Sequence, residues 1–258
     1  MRSWVVGLSA LGFLLFSLDP VNGDILVVSP NSDANIEGNN DNSFPFNPAA
    51  FGKSSERCQQ VYAASDFSAL GRPSLLKEID FRPDFRTGSA FTSTLPDIQI
   101  DLSTTSKGPD ALNIVFASNV GADDTVVHGR GPLSLSSSDT GPANGPKDFD
   151  IRIILQTPFL YDPSKGNLLL DVRNFGGGAT TPFDAEFTVG DSVSRVFTFN
   201  SGVGSVQGDG TDTLGLVTQF RFGPSAVIPE PAGVTLLGLG IGAVLVYNRR
   251  ARRGWAAW

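Results

Sequence analysis

Apolar and polar positions alternate in short runs along the middle of the chain. In the run 98–103, Ile98, Ile100 and Leu102 fall on one side, while polar residues occupy the positions between them. This period of two predicts a strand with one buried and one solvated face. Similar runs lie at 148–156, 167–173, 194–200 and 214–222, and turn-rich stretches such as 141–146 and 161–167 separate them.

Roughly eight to ten short strands with this spacing favour antiparallel sheets. We therefore predict an all-β fold: an antiparallel β-sandwich, jelly-roll-like, flanked by an N-terminal signal helix and a C-terminal single transmembrane helix. The sandwich is expected over 56–224. Residues 24–55 are rich in Asn, Ser, Asp and Pro, and we expect an irregular leading segment there. The stretch 57–62 fits a helical stripe as well as a strand, and the strands that follow favour the strand.

The first 23 residues have the pattern of a secretory signal peptide. Arg2 supplies a positive charge, 4–18 is an uncharged apolar run, and Pro20 follows it as a helix breaker. Val21 and Gly23 are small enough for the pockets of a signal peptidase. We predict cleavage after Gly23, and the alternative is an uncleaved N-terminal anchor.

The far end, 225–253, combines three features in a fixed order. The residues Pro229, Glu230 and Pro231 come first, then the uncharged stretch 232–247, then a cluster of arginines: Arg249, Arg250, Arg252 and Arg253. A helix over 232–247 would be roughly 24 Å long at about 1.5 Å per residue, short of the roughly 30 Å hydrocarbon core. Arginine side chains that reach towards the headgroups make a span feasible, and their charge keeps them cytoplasmic. The inner membrane is thus an expected partner, with the domain before it outside.

This tail resembles the PEP-CTERM protein-sorting signal of Gram-negative bacteria. The resemblance covers about the last thirty residues and implies that an exosortase, a membrane-embedded transpeptidase, cleaves near Pro229–Pro231. It further implies transfer to the cell surface or to an exopolysaccharide matrix. The segment 159–172 also resembles a turn and strand of extracellular jelly-roll domains in proteins that carry this signal. The alternative is an ordinary single-pass anchor with a proline-rich linker.

Charge disfavours a nucleic-acid partner. The formal net charge is −7, although four of the 19 Lys and Arg residues are concentrated in the tail. Between residues 24 and 231, 25 acidic residues face 14 basic ones. Such a surface repels phosphate backbones, whereas it suits solubility, calcium or cationic partners.

Cysteine and histidine are too few for the commonest reactive sites. Cys58 is the single cysteine, so an intrachain disulfide is excluded and a small buried hydrophobe is expected. His128 is the single histidine. A zinc site normally needs several such ligands, and no Gly-x-Ser-x-Gly element marks a hydrolase. We therefore expect a structural histidine at a strand edge and assign no catalytic residue.

Carboxylates remain as candidates for binding chemistry. Asp209 and Asp212 flank a glycine in a turn-like stretch and are weak calcium candidates, with calcium as the one cofactor considered. A plain turn is the simpler interpretation. The pairs Asp123–Asp124 and Asp148–Asp150 would suit a glycoside hydrolase only if a cleft brought two acids together.

The sequence therefore predicts an exported, non-enzymatic protein with a structural or interaction role, whose processing partners are signal peptidase and exosortase and whose retention partner is exopolysaccharide. A carbohydrate-binding module is the first alternative. The tryptophans that would favour it, Trp4, Trp255 and Trp258, all lie outside the β domain. An acid-catalysed glycoside hydrolase is the second alternative.

Overall fold

The structure is a computed structural model that describes residues 23–223. It contains thirteen strands, with short 3₁₀ helices over Asn31–Ala34, Pro48–Phe51, Ala64–Leu70 and Phe116–Ser118. Within 23–223, no helix has the length and hydrophobicity to cross a bilayer. In chain order the strands are β1 (Ile25–Ser29), β2 (Asn40–Asn42), β3 (Glu56–Tyr62), β4 (Ser74–Phe81), β5 (Phe91–Thr105), β6 (Thr125–Ser137), β7 (Ile151–Tyr161), β8 (Asn167–Asn174), β9 (Phe183–Phe187), β10 (Val193–Phe197), β11 (Gly210–Asp212), β12 (Leu214–Leu216) and β13 (Thr218–Gly223).

The strands form three antiparallel sheets. One sheet has the order β1-β13-β4-β7, the second β11-β10-β3-β8-β5-β6, and a small third sheet β12-β9-β2. The two larger sheets face each other across a common apolar core, and Tyr62 of β3 packs edge-on against Phe220 of β13 with ring centroids 4.8 Å apart. The predicted all-β antiparallel sandwich is thereby confirmed.

Alternation along the strands builds this core. Ile98, Ile100 and Leu102 of β5 are fully buried, as their spacing predicts. The opposite face of β5 differs from the prediction, because Asp101 and Ser103 are buried too. The segment after β5 covers that face, and the backbone N–H of Gly121 donates to the Ser103 hydroxyl at 3.1 Å.

Phenylalanine supplies much of the packing between sheets. The rings of Phe46, Phe81 and Phe183 lie 5.4–5.6 Å apart in one group. Phe67 contacts Tyr161 and Phe220 in a second group. Each such pair adds about 0.5–1.5 kcal/mol beyond area burial, which suits a domain that has no disulfide.

The leading segment 24–55 differs from its expected irregular form. β1 pairs with β13 and β2 pairs with β9, so this segment completes two of the sheets. Val27 and Phe46 anchor it in the core. The many Asn, Ser, Asp and Pro residues suit the turns between these elements, and a three-residue strand is too short to produce a visible period. The sandwich therefore begins at Ile25 and not at residue 56.

Three other predicted strand runs coincide with observed strands, although the first or last residues of the runs and strands differ. The 57–62 stretch is strand β3, and Cys58 is a buried free thiol within it. The run 167–173 is β8, and 194–200 overlaps β10. The run 214–222 is divided at Val217 between β12 and β13, which belong to different sheets.

Candidate functional site

Three carboxylates from separate parts of the chain converge at one end of the sandwich. Glu37 precedes β2, Asp84 follows β4, and Asp184 lies in β9. One oxygen from each lies within 4.8 Å of the others. Among residues 23–223 this is the one group of three that has such an arrangement. We refer to these three residues as the carboxylate cluster.

Backbone contacts place the cluster. The N–H of Asp84 donates to the Pro182 carbonyl at 3.1 Å, and the N–H of Asp184 donates to the Arg82 carbonyl at 3.0 Å. The loop with Glu37 comes close because Gly38 has no side chain: a Cβ there would lie 2.2 Å from the Ala185 carbonyl oxygen. That approach lets the Gly38 N–H donate to Asp184 Oδ1 at 3.0 Å.

The buried guanidinium of Arg82 binds one carboxylate of the cluster. Arg82 is 1% exposed, and its Nε donates to Asp184 Oδ2 at 2.7 Å. A second guanidinium nitrogen of Arg82 donates to the Asp33 carbonyl at 2.9 Å. Three carboxyl groups around a single guanidinium leave an excess of negative charge when all are ionised.

Burial raises the pKa values of two of these groups, Asp184 and Glu37. It raises the pKa of Asp184 to about 7, although the charge of Arg82 opposes the change. It also raises the pKa of Glu37, whose Oε1 accepts from the Phe85 N–H while Oε2 is buried without a hydrogen-bond partner. Asp84 Oδ1 instead accepts from the N–H groups of Arg86 and Thr87.

The cluster is chemically suited to hold a shared proton or a hard cation. Two carboxyl groups that approach closely cannot both ionise without a cation between them. Carboxylate oxygens are the ligands that Ca²⁺ prefers. A cavity of about 180 Å³ beside the cluster is lined by residues 38–41 and 84–87. Because Arg82 already supplies a positive charge, the cluster also has the form of a structural ion-pair network.

Asp209 and Asp212, the calcium candidates from the sequence, are bound by groups of the chain itself. Asp209 Oδ2 accepts from the N–H groups of residues 199, 200 and 201 at 2.6–2.9 Å, and these bonds hold the pKa of Asp209 at about 2. Asp212 makes a two-pronged ion pair with Arg195 at 2.8 and 3.0 Å. Neither residue belongs to the carboxylate cluster: Asp209 caps a turn, and Asp212 ends β11 in its ion pair with Arg195.

The other sequence candidates also lie apart from the cluster. His128 is buried in β6, an edge strand of the six-stranded sheet, and burial lowers the pKa of its imidazole. Asp123 Oδ1 accepts from the Thr104 N–H at 2.7 Å. Asp148 and Asp150 precede β7, which begins at Ile151, although the predicted strand run 148–156 includes both.

Sequence reasoning missed a second carboxyl pair, Glu78 and Asp80 on one face of β4. Glu78 is buried but binds Arg152 and lies 3.5 Å from Arg221, and the pKa of Glu78 is lowered because the arginine bonds outweigh burial. Burial, with the neighbouring Glu78 carboxylate, raises the pKa of Asp80 to about 8. The environment therefore shifts the pKa values of Glu78 and Asp80 in opposite directions, as it does in catalytic acid–base pairs. The irregular alternation of this strand, which has a bulge at Leu76–Glu78, hid the pair from the sequence.

An aromatic cavity of about 350 Å³ opens between β2 and β10. Its walls include Phe44, Phe51, Phe197 and Phe199, and the Arg195 guanidinium lies over the Phe197 ring at 4.4 Å. Phe51 and Phe199 are partly exposed. We refer to these four rings as the phenylalanine group.

No protein-family model matches the chain, and no curated protein matches it. The sorting residues predicted from the sequence, Pro229–Pro231 and the arginines of 249–253, lie outside the described residues, as does the apolar stretch 232–247. Gly23, the predicted cleavage position, is exposed and lies two residues before β1.

Proposed function

We propose that the protein is an exported, non-enzymatic surface protein whose β-sandwich is sorted and retained through its C-terminal tail. The observation that carries this proposal is the order of Pro229–Glu230–Pro231, an uncharged apolar stretch and an arginine cluster. Signal peptidase and exosortase are its processing enzymes. The cell surface or extracellular polysaccharide of a Gram-negative bacterium is its destination.

Physical chemistry supports a processing site at the prolines. The last strand ends at Gly223, so five residues, 224–228, separate the sandwich from Pro229. Two prolines with a single residue between them are incompatible with a regular helix. This sequence therefore favours an extended, accessible segment that carries one carboxylate. The apolar stretch and the arginines after it favour arrest of the chain in the inner membrane.

The sandwich has contacts that suit a structural or interaction role. Two of its arginines bind internal carboxylates: the half-buried Arg57 binds Asp171 through two bonds, at 3.0 and 2.6 Å, and the buried Arg82 binds Asp184. The pairing of β1 with β13, near the two ends of the domain, supports a jelly-roll-like topology.

The test is to produce the full chain in a host with and without a matching exosortase and to measure the mass and location of the product. We expect loss of the residues after the motif only when the exosortase is present. The double variant Pro229→Ala/Pro231→Ala should remain uncleaved, whereas Pro224→Ala should be processed normally. A product that keeps 232–258 in both hosts would leave a plain membrane anchor and refute sorting.

Carbohydrate binding is the second candidate function, and the phenylalanine group favours it. Exposed aromatic faces can stack on the apolar faces of sugars, and Phe51 and Phe199 lie at the mouth of a cavity. A glycan array probed with the full chain and with Phe51→Ala/Phe199→Ala would test it. Binding that the double variant loses would support this function, and no binding by either protein would remove it.

A further inference from the structure

A cavity of about 690 Å³ lies beside the outer face of the six-stranded sheet and shares no residue with the carboxylate cluster or the phenylalanine group. Arg57 of β3 and Arg173 of β8 form part of its wall. These side chains point away from the core, because successive residues of a strand alternate and the neighbouring Val172 belongs to the core. The volume falls in the range of pockets that hold small molecules.

The other walls of this cavity are largely apolar and come from two segments that bind each other. Val115 and Val120 belong to the segment between β5 and β6, and Val203 and Val206 belong to the loop between β10 and β11. The Phe116 N–H donates to the Val206 carbonyl at 3.3 Å, which joins the two segments. Val206 is 76% exposed, so this wall presents apolar surface to water that an apolar ligand would cover.

The two arginines of the cavity lie directly opposite each other. Arg57 and Arg173 are register partners in the antiparallel pair of β3 and β8, which places their Cβ atoms roughly 4.5–5.5 Å apart. Like charges in this arrangement repel each other and destabilise a sheet. Among residues 23–223, no other charged residue lines the cavity. The sheet therefore holds two cations side by side against apolar walls.

The carboxylates beneath these arginines leave Arg173 with weak partners. Asp171 accepts from Arg57 Nε and Nη2 at 3.0 and 2.6 Å and from Gln59 at 2.8 Å. Arg173 Nη2 lies 3.5 Å from Asp171 and 3.3 Å from Asp101, longer than the roughly 2.7–2.9 Å of a charge-assisted hydrogen bond. Arg173 Nε is buried without a hydrogen-bond partner. Such a donor costs free energy that a ligand oxygen would recover.

The Arg57 guanidinium is held in position before any ligand binds. It lies over the ring of the buried Phe116, 4.3 Å from the ring centre. Its hydrogen bonds to the described part of the chain use Nε and Nη2, which leaves the N–H groups of Nη1 for another acceptor. A donor that is already ordered loses little conformational entropy on binding, which favours affinity.

From the two opposed arginines and the valine walls we infer that this cavity binds a small molecule with one carboxylate on an apolar body, such as a medium-chain aliphatic acid. The carboxylate accepts from Arg57 and Arg173, whose planar donor groups match its two oxygens. The apolar body covers the valines. A neutral apolar molecule would leave the spare arginine donors without acceptors. The inference goes beyond the proposed function and does not depend on how either end of the chain is processed.

Calorimetric titration of the full chain with sodium octanoate tests the inference. We expect saturable binding to one site per chain. Octanol lacks the carboxylate, acetate lacks the apolar body and octylammonium carries the opposite charge, so each should bind about tenfold or more weakly than octanoate. The inference is refuted if octanoate shows no saturable binding or binds no more tightly than octanol.

Two variants with matched controls locate the binding. Arg173→Met removes one cation and should weaken octanoate binding about tenfold or more, whereas Arg72→Met replaces an exposed arginine outside the cavity and should not. Val206→Asp adds a negative charge at an exposed position, so it should fold normally and also lose about tenfold or more in affinity. Val189→Asp, at an exposed valine elsewhere, should bind as the parent does. Parent-like affinity in both Arg173→Met and Val206→Asp would place octanoate at another site and refute the inference.

Discussion

Arg82 is the residue on which the carboxylate cluster depends most directly. It is buried, binds the Asp184 carboxylate, and donates to backbone carbonyls of the loop that carries Glu37. Its guanidinium also lies over the Phe149 ring, 4.8 Å from the ring centre. One side chain therefore joins the leading segment to β9 through charge and hydrogen bonds together.

We predict that Arg82→Met destabilises the fold by about 3–5 kcal/mol, because it leaves buried carboxylates without their cation. The matched control is Arg86→Met, which removes an exposed arginine four residues away and should change stability by less than about 0.5 kcal/mol. Urea unfolding at pH 7 measures both. Equal midpoints for the two variants would contradict the role assigned to Arg82.

Glu56 illustrates the opposite case, a buried acid without a partner. Its pKa of about 8 in the folded chain exceeds the ordinary value near 4.5. As pH rises from about 4.5 to 8, the unfolded carboxyl releases its proton before the folded one does, so folding stability falls across that window.

We therefore predict that Glu56→Gln, which cannot ionise, stabilises the protein at pH 8 by about 2–4 kcal/mol and changes it little at pH 4. Thermal unfolding at the two pH values gives the measurement. A stabilisation that is the same at both values would mean that ionisation of Glu56 is not its cause.

At the scale of elements, the close approach of the Glu37 loop to β9 requires glycine at position 38. A Cβ on Gly38 would overlap the Ala185 carbonyl of β9. Because Asn40 of β2 pairs with Ala185 as well, β2 would have to move away from β9. Both the small third sheet and the cluster depend on this contact.

We predict that Gly38→Ala destabilises the protein by about 1–3 kcal/mol, the usual range for forced overlap in a packed region. Gly204→Ala is the control, since a Cβ there has no atom within 4 Å and the backbone does not require glycine. Hydrogen exchange of β2 and β9 amides, together with urea unfolding, distinguishes local displacement of the third sheet from global loss. Unchanged exchange in Gly38→Ala would contradict the overlap argument.

The elements show how far the sequence predicts this fold. Long alternating strands such as β5 and β7 are visible because their apolar residues recur at period two. Short strands such as β2 and β11 are not visible, since three residues have no measurable period. The candidate site was hidden for a related reason. Glu37, Asp84 and Asp184 are brought together by contacts between distant segments, which local spacing does not reveal.

At the scale of the whole molecule, many acidic groups are partly or fully buried. Burial raises the pKa values of Glu56 and Asp80 to about 8, of Asp184 to about 7 and of Asp191 to about 6. It raises those of Asp33, Glu37, Asp101 and Asp124 as well. Fewer groups shift downwards: Glu78, Asp97, Asp162 and Asp209.

This balance predicts that the domain is more stable near pH 5 than near pH 8. A carboxyl with a raised folded pKa favours folding below its unfolded value and loses that contribution as pH rises through the folded value. The groups with lowered values act in the opposite sense, but their effect is confined to pH below about 4.5. Urea midpoints of the full chain should therefore decline steadily between pH 5 and 8. Measurement at high and low salt separates this effect from repulsion among the surface acids, which salt screens. If the midpoint instead rises from pH 5 to 8 at both salt concentrations, the buried carboxyls are ionised and compensated in the folded chain.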